Sequence, residues 1–573
     1  MHVGLIGAET PLDIVAAQLD RINATAEYID IDGISSVDRL VVAATTEDER
    51  FQEVNAVVIE HDIPAVFIER QGLGGISVGG LEASVVGVTP SGPCYACLQQ
   101  RLESTGVTAT DETPDDPTTD VLAGAYAGRL VANSAGDRSN VLDGTVIELP
   151  YTEREYLPVP GCQVCGASDI GRWKTPSEGD PRPLEAAIAA AERCYDERMG
   201  LLTEIGEAAS VPLPYYLATL ADTRAFSDAQ APRHAAGVSE DWDHAYMKGM
   251  GEALERYAAG TYLSDTFRTA HPAELDERVH PSACVRPDDW DAVEHAIPWI
   301  PGQEIASGDA VWVPADLVVF PPPERVTRPA ITTGLALGNT EAEATCAGLL
   351  EVLERDATML SWYSTFEPVG LDVDNPTFTD LSRRASAESL DVSVVLLTQD
   401  IDVPVIGAFV HRDGDFPQFA AGSAAGFDPT QAALDAVREA LQNWMELSDM
   451  GESQAAQQAP RLAEYARHPT DVDAYLDPAV SLDANGIVDA IPEPGRETLD
   501  RLSAELADAD LESYVTRLTT RDLRRVGFSA VRVVVPKAQP LLLDTPYFGK
   551  RAHEVPGSMG FAPYLDRGPH PFP

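Results

Sequence analysis

Two Cys-x-x-Cys pairs constrain the fold of this chain more than any other local feature. Cys94 and Cys97 stand in GPCYACLQQRL, and Cys162 and Cys165 in PGCQVCG. Each pair lies beside Gly or Pro, so a tight turn lets two thiolates face one ion, and two such turns complete the tetrahedron that Zn²⁺ prefers. The fold must then bring together segments far apart in sequence. An all-thiolate set with no neighbouring His leaves no open position, so the metal's role is structural and part of the folding free energy comes from it. Thioredoxin-like redox chemistry is the alternative for either pair alone. Two pairs weigh against it, while the gap from Cys97 to Cys162 is longer than in a compact zinc ribbon. Cys194, Cys284 and Cys346 fall in apolar or helical surroundings and are expected to be buried packing residues. Seven cysteines, four of them so paired, suit a reducing compartment, and the chain is expected in the cytoplasm.

The first hundred residues follow βαβ grammar. HVGLIG reads as a strand, LDIVAAQLDRI as a helix, AEYIDID and RLVVAATT as strands, FQEVNAVVIEHD as a helix, and PAVFIER and ASVVGVT as strands, which predicts a mostly parallel, Rossmann-like sheet. Gly4 and Gly7 lack the third glycine of a dinucleotide fingerprint and read as a strand-to-helix turn. The stretches TDETPDDPTT (110–119) and TPSEGDPRP (175–183) read as surface loop or linker. A chain of 573 residues exceeds one ordinary core, so two domains are expected, 1–175 and 180–573. The second opens with LEAAIAAAERCYDERMGLL as a helix. It continues with helices near Ala245 to Tyr262, Glu341 to Trp362 and Thr430 to Leu447, and with strands VSVVLLT, VPVIGAFV and AVRVVVP, a mixed α/β or α+β pattern.

The formal net charge is −52, with lysine only at positions 174, 248, 537 and 550. That balance suits a halophile's brine, where a Debye length of roughly 3 Å screens self-repulsion and carboxylates hold water. Acidic runs, including Glu240, Asp241 and Asp243, are accordingly expected to be solvated surface. With no basic stripe, nucleic acid is excluded as the main partner. No stretch approaches the roughly 20 apolar residues of a membrane span, and the N-terminus lacks signal-peptide features.

The more specific chemistry lies in glutamates at helical spacing. KGMGEALERY holds Glu252, Glu255 and Arg256, and GNTEAEATCAGLLEVLERDA holds Asn339, Glu343, Glu351, Glu354 and Arg355. Offsets of eight and eleven residues are roughly 2.2 and 3.1 turns, so positions 343, 351 and 354 share one helix face. Like charges so stacked repel unless a cation sits between them, and Mg²⁺, shared between carboxylates and nucleotide phosphates, would resolve the conflict. Thr340 with Glu343 also fits a capping box. The chain ends RGPHPFP, whose alternating prolines are stiff enough to carry the terminal carboxylate of Pro573 into a site.

Together these motifs resemble the YcaO family over about residues 180–573. Glu252, Glu255 and Arg256 match its S-x-x-x-E-x-x-E-R, with Lys248 in place of serine. Asn339, Glu343, Glu351, Glu354 and Arg355 match N-x-x-x-E and the later E-x-x-E-R. Glu439 and Gln442 in DAVREALQ match R-x-x-x-E-x-x-Q, with Asp435 in place of arginine, and the tail matches P-x-P-x-P. The resemblance implies ATP and Mg²⁺ as cofactors. Glu252, Arg256, Asn339, Glu343, Arg355 and Gln442 would bind the nucleotide, Glu255, Glu351, Glu354 and Glu439 the magnesium, and Pro573 would be catalytic. Arg438 and Lys248 could restore the charge lost at the two departures. The implied reaction is ATP-dependent activation of a peptide backbone amide, with cyclodehydration of Cys, Ser or Thr to a thiazoline or oxazoline. Thioamidation or amidine formation, and a non-catalytic scaffold with a decayed ATP site, are the alternatives.

The run GLGGISVGGLEASVVGVTPSGPCYACLQQR, after its strands and helix, resembles the later half of ThiF-like, ubiquitin-activating-enzyme-like domains over roughly residues 1–170. The adenylating glycine-rich loop is not matched, so the resemblance implies a degenerate scaffold that presents a peptide or protein substrate. A separate peptide-clamp or dehydrogenase protein, and a homodimer, are left open as partners.

Overall fold

Period-2 apolar runs and 3.6-period stripes alternate along the chain, and in the computed structural model the described residues condense into four sheets packed with helices. The structure describes all residues except 111–115, 135–138, 151, 167–180, 291–292, 459, 468–470, 489 and 544. Most of the acidic stretch after Thr110 and the expected boundary near 175–180 therefore lie outside the described residues.

The N-terminal strands form a seven-stranded sheet in the order Thr25–Tyr28, His2–Gly7, Arg39–Thr45, Ala65–Arg70, Ala83–Val88, Thr145–Leu149, Thr152–Glu155. The first three pairings are parallel and the last three antiparallel. Among the strands of the first hundred residues three of four pairings are parallel, as expected, and the antiparallel half begins at Ala83–Val88. From Ala65–Arg70 the chain returns directly to Ala83–Val88, and no helix intervenes to cross over the sheet. Helix Tyr95–Thr105, which follows Cys94, packs below this sheet and ends at Gly106, whose φ of 74° supplies the left-handed cap.

The remaining sheets have three, six and five strands. Helix Leu184–Glu192 is shorter than the sequence suggested. The chain turns at Cys194 and enters strand Leu202–Ala209, because apolar Met199, Leu201 and Leu202 pack into the core across that turn. Three long helices carry the glutamate motifs: Trp242–Gly260, Glu341–Trp362 and Pro429–Gln458, the last interrupted at Gly451. Glycines let two of them lie directly on strands. A Cβ on Gly237 would collide with the backbone of Gly249 and Ala245, and one on Gly422 with Ala440 and Ala436.

One hydrophobic cluster runs from Phe51, Phe67 and Leu98 of the N-terminal part to Met250, Leu254, Leu523 and Phe528 of the later part. Cys194, Cys284 and Cys346 are buried, as expected. Among the described residues, no helix is long and apolar enough to cross a membrane.

Candidate active site

Thr340 caps helix Glu341–Trp362 by accepting from the Glu343 amide at 3.1 Å. The reciprocal arm of the capping box is absent, because the Glu343 carboxylate accepts from Asn339 N (3.1 Å) and Asn339 Nδ2 (3.3 Å). Glu343 is thereby turned away from Glu351 and Glu354. It lines a cavity of about 420 Å³ with Asn339, while Glu351 and Glu354 line a larger one of about 860 Å³. Glu252 and Glu255 border both cavities. The three carboxylates expected on one face thus serve two adjoining spaces.

The larger cavity gathers Glu252, Glu255 and Arg256 from one helix, Glu351, Glu354 and Arg355 from the second, and Glu439 and Gln442 from the third. Three of these acids are held by neighbouring donors. Glu351 accepts from Gly334 N at 3.0 Å, Glu354 from Ser423 Oγ at 2.6 Å, and Glu439 from Ser423 N at 2.6 Å. Ser423 and Gly334, missed in the sequence because neither belongs to a helical motif, orient three of the carboxylates. Arg355 lies 3.5 Å from Glu354 and 3.7 Å from Glu439, and Arg256 pairs with Glu252 and lies 3.5 Å from Glu255. Gln442 donates to Glu446 at 3.0 Å.

Desolvation dominates the electrostatics. Burial, reinforced by the charge of Glu252, holds the Glu255 carboxyl well above the usual carboxylate range. Burial also raises Glu351 and Glu439, and pushes Glu354 up to about 8 against the opposing pull of Arg355. Converging acids that resist ionisation are a site lacking countercharge, and their hard oxygen donors fit magnesium. Buried Arg256 Nη1 and Arg355 Nε make no hydrogen bond and face the Glu255 and Glu354 carboxylates at 3.5 Å.

The two departures from the motif meet each other. Lys248 Nζ lies 3.5 Å from Asp435, and Arg438, one turn along from Asp435, bonds it at 2.9 Å. Both cations line the cavity. Arg438 also clasps Glu240 through 2.6 and 2.8 Å bonds, so Glu240 is anchored, correcting its expected place in solvated surface.

Pro573 does not border either cavity, yet its oxygen accepts from Arg355 Nη1 at 3.2 Å. The tail is pinned: Trp362 Nε1 donates to Gly568 O (2.9 Å), Arg461 Nη2 to Phe572 O (3.3 Å), and Phe572 is fully buried.

At the cysteines, Sγ–Sγ separations are 3.9 Å (Cys94–Cys97), 3.7 Å (Cys94–Cys162) and 3.4 Å (Cys97–Cys165), and all four thiols are free. A tetrahedron of Zn–S bonds near 2.3 Å sets its sulfurs about 3.8 Å apart, so the donor set fits zinc. Val159 N (3.3 Å) and Arg521 Nη1 (3.2 Å) donate to the sulfurs of Cys97 and Cys165.

A mixed α/β fold with a carboxylate-lined, arginine-flanked cavity between three helices defines a nucleotide- and divalent-metal-dependent class of enzyme. Residues 236–539 match the family model described as YcaO cyclodehydratase, ATP- and Mg²⁺-binding, and the chain belongs to the YcaO family. It is an ATP-dependent, cyclodehydratase-like enzyme. An uncharacterised protein of Methanothermobacter thermautotrophicus is 28% identical over 383 residues, covering 65% of this chain and 97% of its own. An uncharacterised protein of Rhizobium leguminosarum bv. trifolii is 32% identical over 164 residues, covering 26% of this chain and 39% of its own. Among solved structures, a heterocyclase in complex with substrate and cofactor aligns with 100% of this chain and 85% of its own at a TM-score of 0.71 and 21% identity. The heterocyclase TruD aligns with 98% and 82% at 0.65 and 20%. Both structural likenesses concern the fold.

Proposed function

We propose that this chain forms thiazoline or oxazoline rings from Cys, Ser or Thr residues of a ribosomally made peptide, at the expense of ATP. The observation that carries this reading is the convergence of Glu252, Glu255, Glu351, Glu354 and Glu439 from three helices on one cavity, with Arg256 and Arg355 between them. Magnesium held by Glu255, Glu351, Glu354 and Glu439 would neutralise phosphate charge and favour phosphoryl transfer. Arg256 and Arg355, which line the cavity, would bind phosphate oxygens and steady the charge that develops there. Asn339 and Glu343 would take the nucleoside in the adjoining cavity, with Gln442 orienting the phosphate end through its contact to Glu446.

In the substrate, a side-chain thiol or hydroxyl adds to the preceding carbonyl carbon. The side chain gives up its proton and the carbonyl oxygen becomes an alkoxide still bound to that carbon. It takes the terminal phosphoryl group of ATP with release of ADP, and departure of phosphate with loss of the amide N–H proton leaves the ring C=N. An amide oxygen is a poor leaving group and phosphate a good one, which is why ATP is needed. The Pro573 oxygen held by Arg355 accepts the proton in this reading. Residues 1–175 are proposed as a ThiF-like scaffold stapled by zinc on Cys94, Cys97, Cys162 and Cys165, presenting the peptide to a catalytic unit of residues 180–573. The parallel half of its sheet and the thiol geometry support that assignment.

The test is ATP hydrolysis in concentrated salt by the full chain, by Glu351→Gln and by a form lacking residues 571–573. The wild type should hydrolyse ATP and both variants should lose at least about a hundredfold in rate. Unchanged hydrolysis in both would overturn the catalytic reading. Mass spectrometry of candidate peptides should then show loss of one water per modified residue, whereas replacement of oxygen by sulfur would indicate thioamidation.

A further inference from the structure

The six-stranded sheet breaks open along strand Ile297–Glu304. Trp299 pairs with Arg268 on one side and Pro314 on the other, and Gln303 pairs with Val515 and Ala310 in the same way. Strands Arg268–Ala270 and Tyr514–Arg517 therefore share one side of it, against residues 297–299 and 303–304. Residues 300–302 between them have no strand partner there. Pro301 also lacks the N–H that a ladder needs. A cavity of about 190 Å³ lies at this break, walled by Ile300 and Pro301 and by the rings of Tyr262, Phe267 and Trp312.

The hydroxyls around the cavity are committed, with one exception. Tyr262 donates to Pro321 O at 2.8 Å, Thr266 to Leu263 O at 2.6 Å, Thr519 to Ala530 O at 3.1 Å, and Thr520 to the Asp522 carboxylate. Thr261, which borders the same space, is 4% exposed, and its Oγ1 has no hydrogen-bond partner among the described residues. A buried hydroxyl left so is costly until something completes it. A dry cavity of roughly 150 Å³ takes a benzene ring, so this one has room for an aromatic ring with a polar tip.

The entrance suits an extended peptide. Strand Arg268–Ala270 is the outer edge of its sheet. Its middle residue, Thr269, faces Pro298, which has no N–H, so the ladder bonds fall to Arg268 and Ala270. The N–H and C=O of Thr269 then point to the free edge, where another chain can pair. Arg268 is exposed, lies 5.0 Å over the Trp312 ring and has no ion pair among the described residues. In a chain of net charge −52, an uncompensated guanidinium at a cavity mouth favours an acidic visitor.

We propose that this cavity anchors a Tyr or Trp side chain of the peptide substrate, with the donor at the ring's tip on Thr261 Oγ1, the peptide backbone along strand Arg268–Ala270 and an acidic neighbour on Arg268. The inference rests on the reading of the chain as a peptide-modifying enzyme and adds a docking site apart from the residue that reacts. Ala258 in the cavity wall follows Glu255 by three positions on one helix, so the anchored segment is held beside the carboxylate cluster.

The experiment measures Kd by calorimetry, without nucleotide, for the full chain in concentrated salt. The probes are acetyl-Gly-Asp-Tyr-Gly-amide, its Phe-for-Tyr and Lys-for-Asp counterparts, and N-acetyltyrosinamide. The tyrosyl peptide should bind about fivefold tighter than the phenylalanyl one, the worth of one hydrogen bond. Lysine in place of aspartate should weaken it about threefold, by a factor that shrinks as salt rises. Thr261→Val should erase the preference for Tyr over Phe, leave the Phe peptide within about twofold, and hold or raise the melting temperature, because the unpartnered hydroxyl is gone. Thr266→Trp, a change at the exposed rim, should weaken every probe at least about tenfold and keeps the test open if Thr261→Val folds poorly. Equal binding of the Tyr and Phe peptides by the wild type overturns the inference, as does a Tyr preference that survives Thr261→Val. N-acetyltyrosinamide binding as tightly as the peptide overturns it too, by making the cavity a small-molecule site. A chain that modifies peptides yet shows no such preference loses this inference alone, and one that binds the tyrosyl peptide yet modifies none loses the proposed reaction alone.

Discussion

Arg101 Nη2 and Asp522 Oδ2 stand 2.6 Å apart, both fully buried, although 421 positions separate them in sequence. Tyr257, on the helix that carries Glu252 and Glu255, donates its hydroxyl to the same carboxylate oxygen at 2.5 Å. Arg101 lies one turn beyond Cys97, and the residue before Asp522 is the arginine that reaches Cys165. The four-cysteine site and the glutamate helix therefore share one buried polar junction.

Breaking that junction on one side leaves a buried, uncompensated guanidinium. Asp522→Ala should cost about 3–5 kcal/mol in unfolding free energy, read by chemical denaturation, and should depress ATP hydrolysis as the Trp242–Gly260 helix loses its anchor. A paired Arg101→Met, Asp522→Leu variant should recover most of the stability, because desolvation of both charges is then removed.

Zinc content can be counted directly. The native chain should hold one zinc per molecule by elemental analysis. Cys162→Ser should lose it, with a drop of several kcal/mol in stability, since metal binding energy at such a site is folding energy. Retention of full stability after chelation would show that the thiols pack without an ion.

Close packing at Gly422 sets where Glu439 stands, because an added Cβ would meet the helix backbone and lie 2.9 Å from Glu439 Cβ. Gly422→Ala should destabilise by about 1–3 kcal/mol. It should lower ATP hydrolysis about tenfold or more as the carboxylate moves off its partners, a larger effect on rate than the stability loss alone would produce.

Acid sensitivity should follow His570. Burial, and then the charge of Arg461, hold its imidazole well below the ordinary value, with Arg355 adding to the repulsion, while its Nε2 lies 2.7 Å from Leu542 O and 2.9 Å from Arg461 Nη1, and Tyr363 packs edge-on 6.5 Å away. The unfolded chain protonates this group as pH falls through about 6.5, whereas the folded chain does not. The unfolded state then binds more protons, so stability falls with pH below about 6.5 by up to about 1.4 kcal/mol per unit. His570→Gln should flatten that slope by one proton in denaturation measured from pH 7 to 5. Identical slopes in the two proteins would refute the assignment.

The sequence by itself was enough to name the motif glutamates, the four thiols and most helices and strands, because helical and strand periodicity and Cys-x-x-Cys spacing are local properties. Helix Glu341–Trp362 falls where its apolar stripe and Thr340 cap require. Local pattern did not show that Glu343 would turn into a separate cavity, since Asn339, itself bonded by Arg182, takes hold of it only once residues 182, 339 and 527 are adjacent. Nor did it show that Lys248 and Asp435 neutralise each other, or that Ser423 and Gly334 hold the acids. Those relations depend on distance in space and on the loss of water, which turns an ordinary carboxylate such as Glu354 into one that resists ionisation. Sequence chose which chemical groups are present; tertiary packing decided which of them face one another in a space too dry for their charges to ignore each other.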